Sequence, residues 1–184
     1  MPLYPEDIPS RRIELLKAVC DHTIVKMIRF SWCSVDEAIE EYEIDKSNVF
    51  SLTAGPLLMY LNSGLVIGAS SNPSLNSVVL WVEKNENGET VDDPTELDDE
   101  LFPVEADNDW IKFAGKKIAS FKILRKKVNS AKLAELPNEV GVLIEMNDGN
   151  QFILSHGLHD NSDDFSVITE KQIDSCLMDQ IDGL

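Results

Sequence analysis

Strands announce themselves first in the order of apolar and polar positions. Ala119, Phe121 and Ile123 alternate with Ser120 and Lys122, which predicts a strand over Lys117–Arg125. Ile24, Ile28 and Phe30 share a predicted face of a strand over Thr23–Trp32, interrupted by Lys26. LLMYLNSG at Leu57–Gly64 and VLIEMNDG at Val142–Gly149 each run an apolar strand into a turn. Asn62-Ser63-Gly64 and Asn147-Asp148-Gly149 fit three-residue hairpin loops, with glycine taking the left-handed position that other residues resist. The returning strands are Leu65–Ala69 and Gln151–Ser155, and Asn87-Gly88 signals a third hairpin after the strand Val78–Glu83.

The two octets are spaced as Asn76-Ser77 is from Asn161-Ser162, and an apolar strand pattern follows each pair. The chain therefore reads either as two pseudo-repeats, at approximately 22–84 and 117–170, or as two generic hairpins.

Helical spacing fills the intervals. Ile13, Leu16, Val19 and Cys20 fall inward over Ser10–Cys20. Ser34 with Glu37 forms a capping box ahead of Val35, Ala38, Ile39 and Tyr42. Thr169 with Gln172 does the same for Ile173, Cys176, Leu177 and Ile181, predicting a C-terminal helix at 169–181. Asp93 can cap a helix with Pro94 first and Glu96 completing the box; Leu97, Leu101 and Phe102 share its face and Pro103 stops it. The sum is an α+β protein of mostly antiparallel sheets from two pseudo-repeats, with a few flanking helices. Its 184 residues suit a single domain, with the segment 85–109 as an acidic connector. At this size about 70% of the unfolded chain's surface can be buried.

Charge changes the picture because it is local. Glu83–Asp109 holds 12 acids and 1 base, a net of −11 out of −17 for the chain. Asp160–Leu184 adds 7 acids against 1 base, whereas Trp110–His159 is net basic with 8 bases and 4 acids. An apolar share of 43% argues against general disorder, so the excess reads as a face or a loop. It is a solvated face, an electrostatic landing surface, or the partner of Lys112, Lys116, Lys117, Lys122, Arg125, Lys126, Lys127 and Lys132. Phosphate neutralisation drives nucleic-acid binding, and a net charge of −17 opposes it. No apolar run reaches the roughly 18 residues of a membrane span, and MPLYPEDIPSRR lacks the sections of a signal peptide. Cys20, Cys33 and Cys176 form no CxxC pair and sit among apolar residues. Buried free thiols in a reducing cytoplasm are expected, a disulfide or reactive thiol being the alternative.

Candidate chemistry is sparse. The sequence has no GxGxxG, P-loop or GxSxG. His156-Gly157-Leu158-His159 with Asp160, Asp163 and Asp164 is the one dense group of ligand types, but HExxH is absent and glycine separates the histidines. Asp160–Asp164 lacks the glycine and final glutamate of a calcium loop. Trp32, Trp81 and Trp110 lie in or beside strands, where core packing is the first explanation and an exposed one could anchor a partner.

The stretches GPLLMYLNSGLVIGASSNPSLNSVVLWVE and NEVGVLIEMNDGNQFILSHGLHDNSDDFSVI give the chain a resemblance to bacterial immunity proteins of polymorphic-toxin and contact-dependent growth inhibition systems. The resemblance implies a small, acidic, cytoplasmic chain that binds a toxin domain, often a basic nuclease, and blocks its active site. The duplicated β unit with helices also resembles the Whirly architecture of two packed four-stranded sheets. The single-strand-binding surface of that architecture is basic, and this chain's charge departs from it. The expectation is thus a non-enzymatic inhibitor without cofactor or bound metal, held by Asp92, Asp93, Glu96, Asp98, Asp99 and Glu100, then Glu105, Asp107 and Asp109. Asp160, Asp163 and Asp164 form a second candidate patch. The alternatives are a small metal-dependent hydrolase using the 156–164 loop and an oligomerisation or scaffold module. The oligomeric state is left open.

Overall fold

A computed structural model describes residues 5–92 and 100–184 and gives an α+β fold dominated by two antiparallel five-stranded sheets. In chain order the helices and strands are α1 (Ile13–Val19), β1 (Ile24–Ser31), α2 (Val35–Glu40), α3 (Val49–Leu52), β2 (Leu57–Leu61), β3 (Val66–Asn72), β4 (Ser77–Lys84), β5 (Phe102–Glu105), α4 (Asn108–Ile111), β6 (Ile118–Lys126), α5 (Ala131–Ala134), β7 (Gly141–Met146), β8 (Gln151–His156), β9 (Phe165–Ile168) and β10 (Ile181–Asp182). Short 3₁₀ turns join several of them. One sheet runs β4-β3-β2-β1-β5 and the other β9-β8-β7-β6-β10. Each is a four-stranded meander with a fifth strand added beside its first, one more than the Whirly resemblance implies.

The glycine-bearing loops form as predicted. Gly64 has φ +93° and Gly149 φ +83°, and the loops close through Leu61 N–H to Leu65 O (3.0 Å) and Met146 N–H to Asn150 O (2.8 Å). Gly88 has φ +80°, and the turn at Asn87-Gly88 brings Thr90 back beside Lys84.

The first strand of each sheet carries a bulge that alternation could not reveal. The register slips between Ile24 and Lys26 in β1, and between Ile118 and Ser120 in β6. Ile24 therefore shares the inner face with Met27, while Phe30 packs outside with Leu58, Val66 and Trp81. Likewise Ile118 and Phe121 meet the inner core, and Ala119 is exposed. The predicted face-sharing of Ile24 with Phe30, and of Ala119 with Phe121, is thus corrected by one extra residue in each strand.

The two sheets face each other. Met59, Ile67 and Leu80 of the first pack with Ile144, Phe152 and Leu154 of the second in one core. A single antiparallel bridge, Thr23 to Lys117, ties them at matching places. Each hairpin loop then bonds back to this point: Asn62 N–H to Thr23 O at 2.9 Å, and Asn147 N–H to Lys117 O at 2.8 Å.

The long connections cross over. The segment between β1 and β2 carries α3, whose Ser51 hydroxyl donates to Val167 O on edge strand β9 at 2.6 Å. The segment between β6 and β7 supplies Glu139, whose carbonyl accepts Val78 N–H on edge strand β4 at 2.9 Å. Glu139 N–H in turn donates to the Ser77 hydroxyl at 2.9 Å. Each half thus covers the edge strand of the other, where bare N–H and C=O groups would template foreign strands.

Arg29 sits at the first crossing. A strand residue on the inner face should be apolar, yet this guanidinium is 0% exposed. Its acceptors are main-chain carbonyls: Nη1 donates to Phe50 O (2.9 Å) and Ser51 O (3.0 Å). Nη2 donates to Thr53 O, Gly55 O (3.0 Å) and Phe165 O (3.2 Å). Burial pushes its pKa down to about 9, so it remains a cation at neutral pH. The carbonyls at the end of α3 supply the negative end of a short helix. Arg29 joins β1, the loop after α3, and β9.

The C-terminal helix predicted at 169–181 does not form. The Thr169–Gln172 box is present, but it caps only a 3₁₀ turn over Glu170–Gln172. Asp174 N–H bonds to Leu158 O (2.8 Å), the Asp174 carboxylate accepts from Cys176 N–H (2.9 Å), and Ile181 pairs with Lys126. These tertiary and side-chain bonds replace the helical ladder while Ile173, Leu177 and Ile181 still bury against the outer face of the second sheet. Cys33 is buried as predicted; Cys20 is half-buried and Cys176 exposed, because Cys176 sits in that irregular segment.

Candidate functional site

The acidic residues expected to meet a partner are distributed unevenly. Asp92 is structural: its carboxylate accepts from Val82 N–H at 2.9 Å and lies 3.5 Å from Arg12, pinning the strand that returns beside β4. Asp93, Glu96, Asp98 and Asp99 lie outside the described residues, as does most of the helix expected over Asp93–Phe102. The described end of that helix is corrected: Phe102 opens β5, pairing with Ser31. Glu100 precedes it, exposed, and Glu105 projects from the far end of the same short edge strand. Asp107, half-buried, starts α4 through its carbonyl, and Asp109 is exposed on that helix.

Three of the basic residues pair outside this group. Lys116 pairs with Asp148 at 3.2 Å, Arg125 with Glu139 at 3.2 Å, and Lys127 with Asp182 at 3.1 Å. Among the described residues, Glu100, Glu105 and Asp109 enter no ion pair.

The second patch lies on the loop between β8 and β9. Asp160, Asp163 and Asp164 are exposed, and Asp160 closes a local turn by accepting from Ser162 N–H at 3.1 Å. The histidines of this loop do not act together. His156 is buried and its Nε2 bonds Asn76 Oδ1 at 3.1 Å; Asn76 Nδ2 donates to Asn138 Oδ1 at 2.7 Å. That chain leaves the Asn76 oxygen as an acceptor, so His156 Nε2 is the donor. Burial holds the His156 imidazole below its ordinary pKa, with Asp163 pulling upward and Lys126 downward. His159 instead bonds Gln172 O through Nδ1 at 3.0 Å. His156, with Lys126, Asn161 and Asp163, lines a cleft of about 480 Å³ that His159 does not reach. Among the described residues no three His, Cys, Asp or Glu side chains converge as a metal site.

The tryptophans separate into two kinds. Trp81 and Trp110 are buried, the latter stacked among Phe50, Phe113 and Phe152. Trp32 is 50% exposed and meets Tyr42, itself 48% exposed, edge to face at 4.8 Å between ring centroids. Tyr42 was expected on the apolar stripe of α2; that helix ends at Glu40, which carries Tyr42 round toward Trp32 instead of into the core. The rings are held by rigid parts. Trp32 N–H bonds Ala54 O at 3.3 Å, and the Ser34–Glu37 capping box fixes the start of α2. The pairing of Ser31 with Phe102 brings Phe102, 43% exposed, beside the residue preceding Trp32. The acidic connector therefore returns to the sheet beside the end of β1 that leads into Trp32. The signal in the sequence is a tryptophan followed, over Asp36–Asp45, by acids without one lysine or arginine.

No helix among the described residues is long and apolar enough to cross a membrane. No protein-family model, curated protein or solved structure significantly matches the chain.

Proposed function

We propose that this chain is an immunity or inhibitor protein: it captures a basic toxin domain, a nuclease, by electrostatic attraction and then covers that domain's active site. The observation carrying this reading is that, among the described residues, Glu100, Glu105 and Asp109 enter no ion pair. They stand exposed while Lys116, Arg125 and Lys127 pair elsewhere. Nuclease sites attract phosphates, so an acidic surface competes for the same cations. Complementary fields raise association to roughly 10⁸ M⁻¹s⁻¹ or more at low salt.

A basic nuclease domain recovered with this chain from its source cell serves as the partner, and binding is followed by stopped flow. Replacing Glu100, Glu105 and Asp109 with their amides, together with Asp93, Glu96, Asp98 and Asp99, will slow association roughly tenfold or more at low salt. Raising ionic strength will close the gap, and the melting temperature will stay near that of the parent. Equal association rates for the two proteins, or undiminished nuclease activity in the complex, would sink the assignment.

A further inference from the structure

Building on that reading, we infer that the Trp32–Tyr42 pair is the anchor of the interface and receives an arginine or lysine side chain of the basic partner. Fields steer encounter, whereas lasting affinity comes from a few well-packed side chains, tryptophan and tyrosine foremost. This pair is the one close contact between two exposed aromatic rings among the described residues. It is preorganised: the backbone of Trp32 is held by Ala54, and α2 is capped, so little freedom remains to be lost on binding.

The charge around it selects the occupant. Asp36, Glu40, Glu41 and Glu43 are exposed between and beside the two rings in sequence, and the backbone of β5 runs beside Ser31, the residue before Trp32. A cation over an aromatic face gains from the ring quadrupole, more so from carboxylates at the rim, and the guanidinium is the best planar fit. A second copy of the chain is a poor occupant, since each copy carries −17. The aromatic centre with a charged rim is also the usual anatomy of a protein interface.

Two measurements decide the inference. In the complex with the recovered basic domain, Trp32→Ala will raise the dissociation rate on the order of 30-fold, nearly independent of salt, and leave association unchanged. Trp32→Phe will recover most of the loss. An unchanged dissociation rate in a Trp32→Ala protein with the parent circular dichroism spectrum overturns the anchor, while the acidic-capture reading survives. On the chain alone, a tetra-arginine peptide will shift tryptophan emission and a tetra-glutamate peptide will not. Trp32→Phe, which keeps Trp81 and Trp110 as buried reporters, will abolish the shift. An unshifted parent, or a shift that persists in Trp32→Phe, overturns the anchor. If no basic domain is recovered with the chain, capture fails and the peptide measurement alone decides the anchor.

Discussion

Arg29→Ala will lower the melting temperature by roughly 6–20 °C, from a loss of about 3–5 kcal/mol at about 2–4 °C per kcal/mol for a chain of this size. The loss is large because the substitution removes more than a side chain. The carbonyls of Phe50, Ser51, Thr53, Gly55 and Phe165 all take their hydrogen bonds from this one guanidinium. Alanine leaves them facing a cavity, and a buried acceptor without a donor costs about 1–3 kcal/mol before relaxation. Arg29→Lys will fall between the two proteins, since an ammonium keeps the charge but cannot fan its donors over five acceptors on two elements. Thermal melts at neutral pH followed by far-ultraviolet circular dichroism check this order. A parent-like melting temperature for Arg29→Ala would mean that the carbonyls find other donors and that Arg29 is not the tie described.

The second large effect concerns the halves of the molecule. Residues 1–92 and residues 100–184, expressed as separate chains, will each lack a cooperative thermal transition. Mixed, they will regain one. The first fragment lacks β5 and the Glu139 segment that covers β4; the second lacks α3 and Arg29, which cover β9. Both lose the opposite wall of the core, where Ile67 and Leu80 meet Phe152 and Leu154. Small sheets with one face bare do not stand alone in water. Melting each fragment alone and in equimolar mixture gives the answer. A sharp transition in either fragment alone would establish an independently stable unit and reject the mutual dependence.

Features resting on local signals were readable in advance. The loops at Gly64 and Gly149 follow from the dihedral preference of glycine, and the Ser34–Glu37 box from complementary donors three residues apart. Strand existence followed from alternation, but strand facing did not, because a single bulge residue at Val25 or Ala119 reverses it and leaves no compositional mark. Ile173, Leu177 and Ile181 have helical spacing and all bury, yet the backbone satisfies itself through Leu158 and Lys126, partners distant in sequence. Nothing in the sequence marks Arg29 as buried; its acceptors come from the return of the α3 loop and from β9. The acidic connector was legible as a charge count, but Asp92 binds Val82 N–H, and the contact of Trp32 with Tyr42 depends on where α2 ends.

The crossed covering of β4 and β9 also sets a schedule for synthesis. As the chain leaves the ribosome, β1 to β4 can pair in succession, since each lies next to its neighbour in sequence. Asp92, from the same half, already meets Val82, but the Ser77–Val78 end of β4 is covered by Glu139 and stays bare until the second half has been made. During this interval the nascent meander offers an open edge to any neighbouring copy on the same messenger. The late-arriving crossover is then a competitor against association between half-finished chains, and its timing bears on how much of the protein reaches the native state.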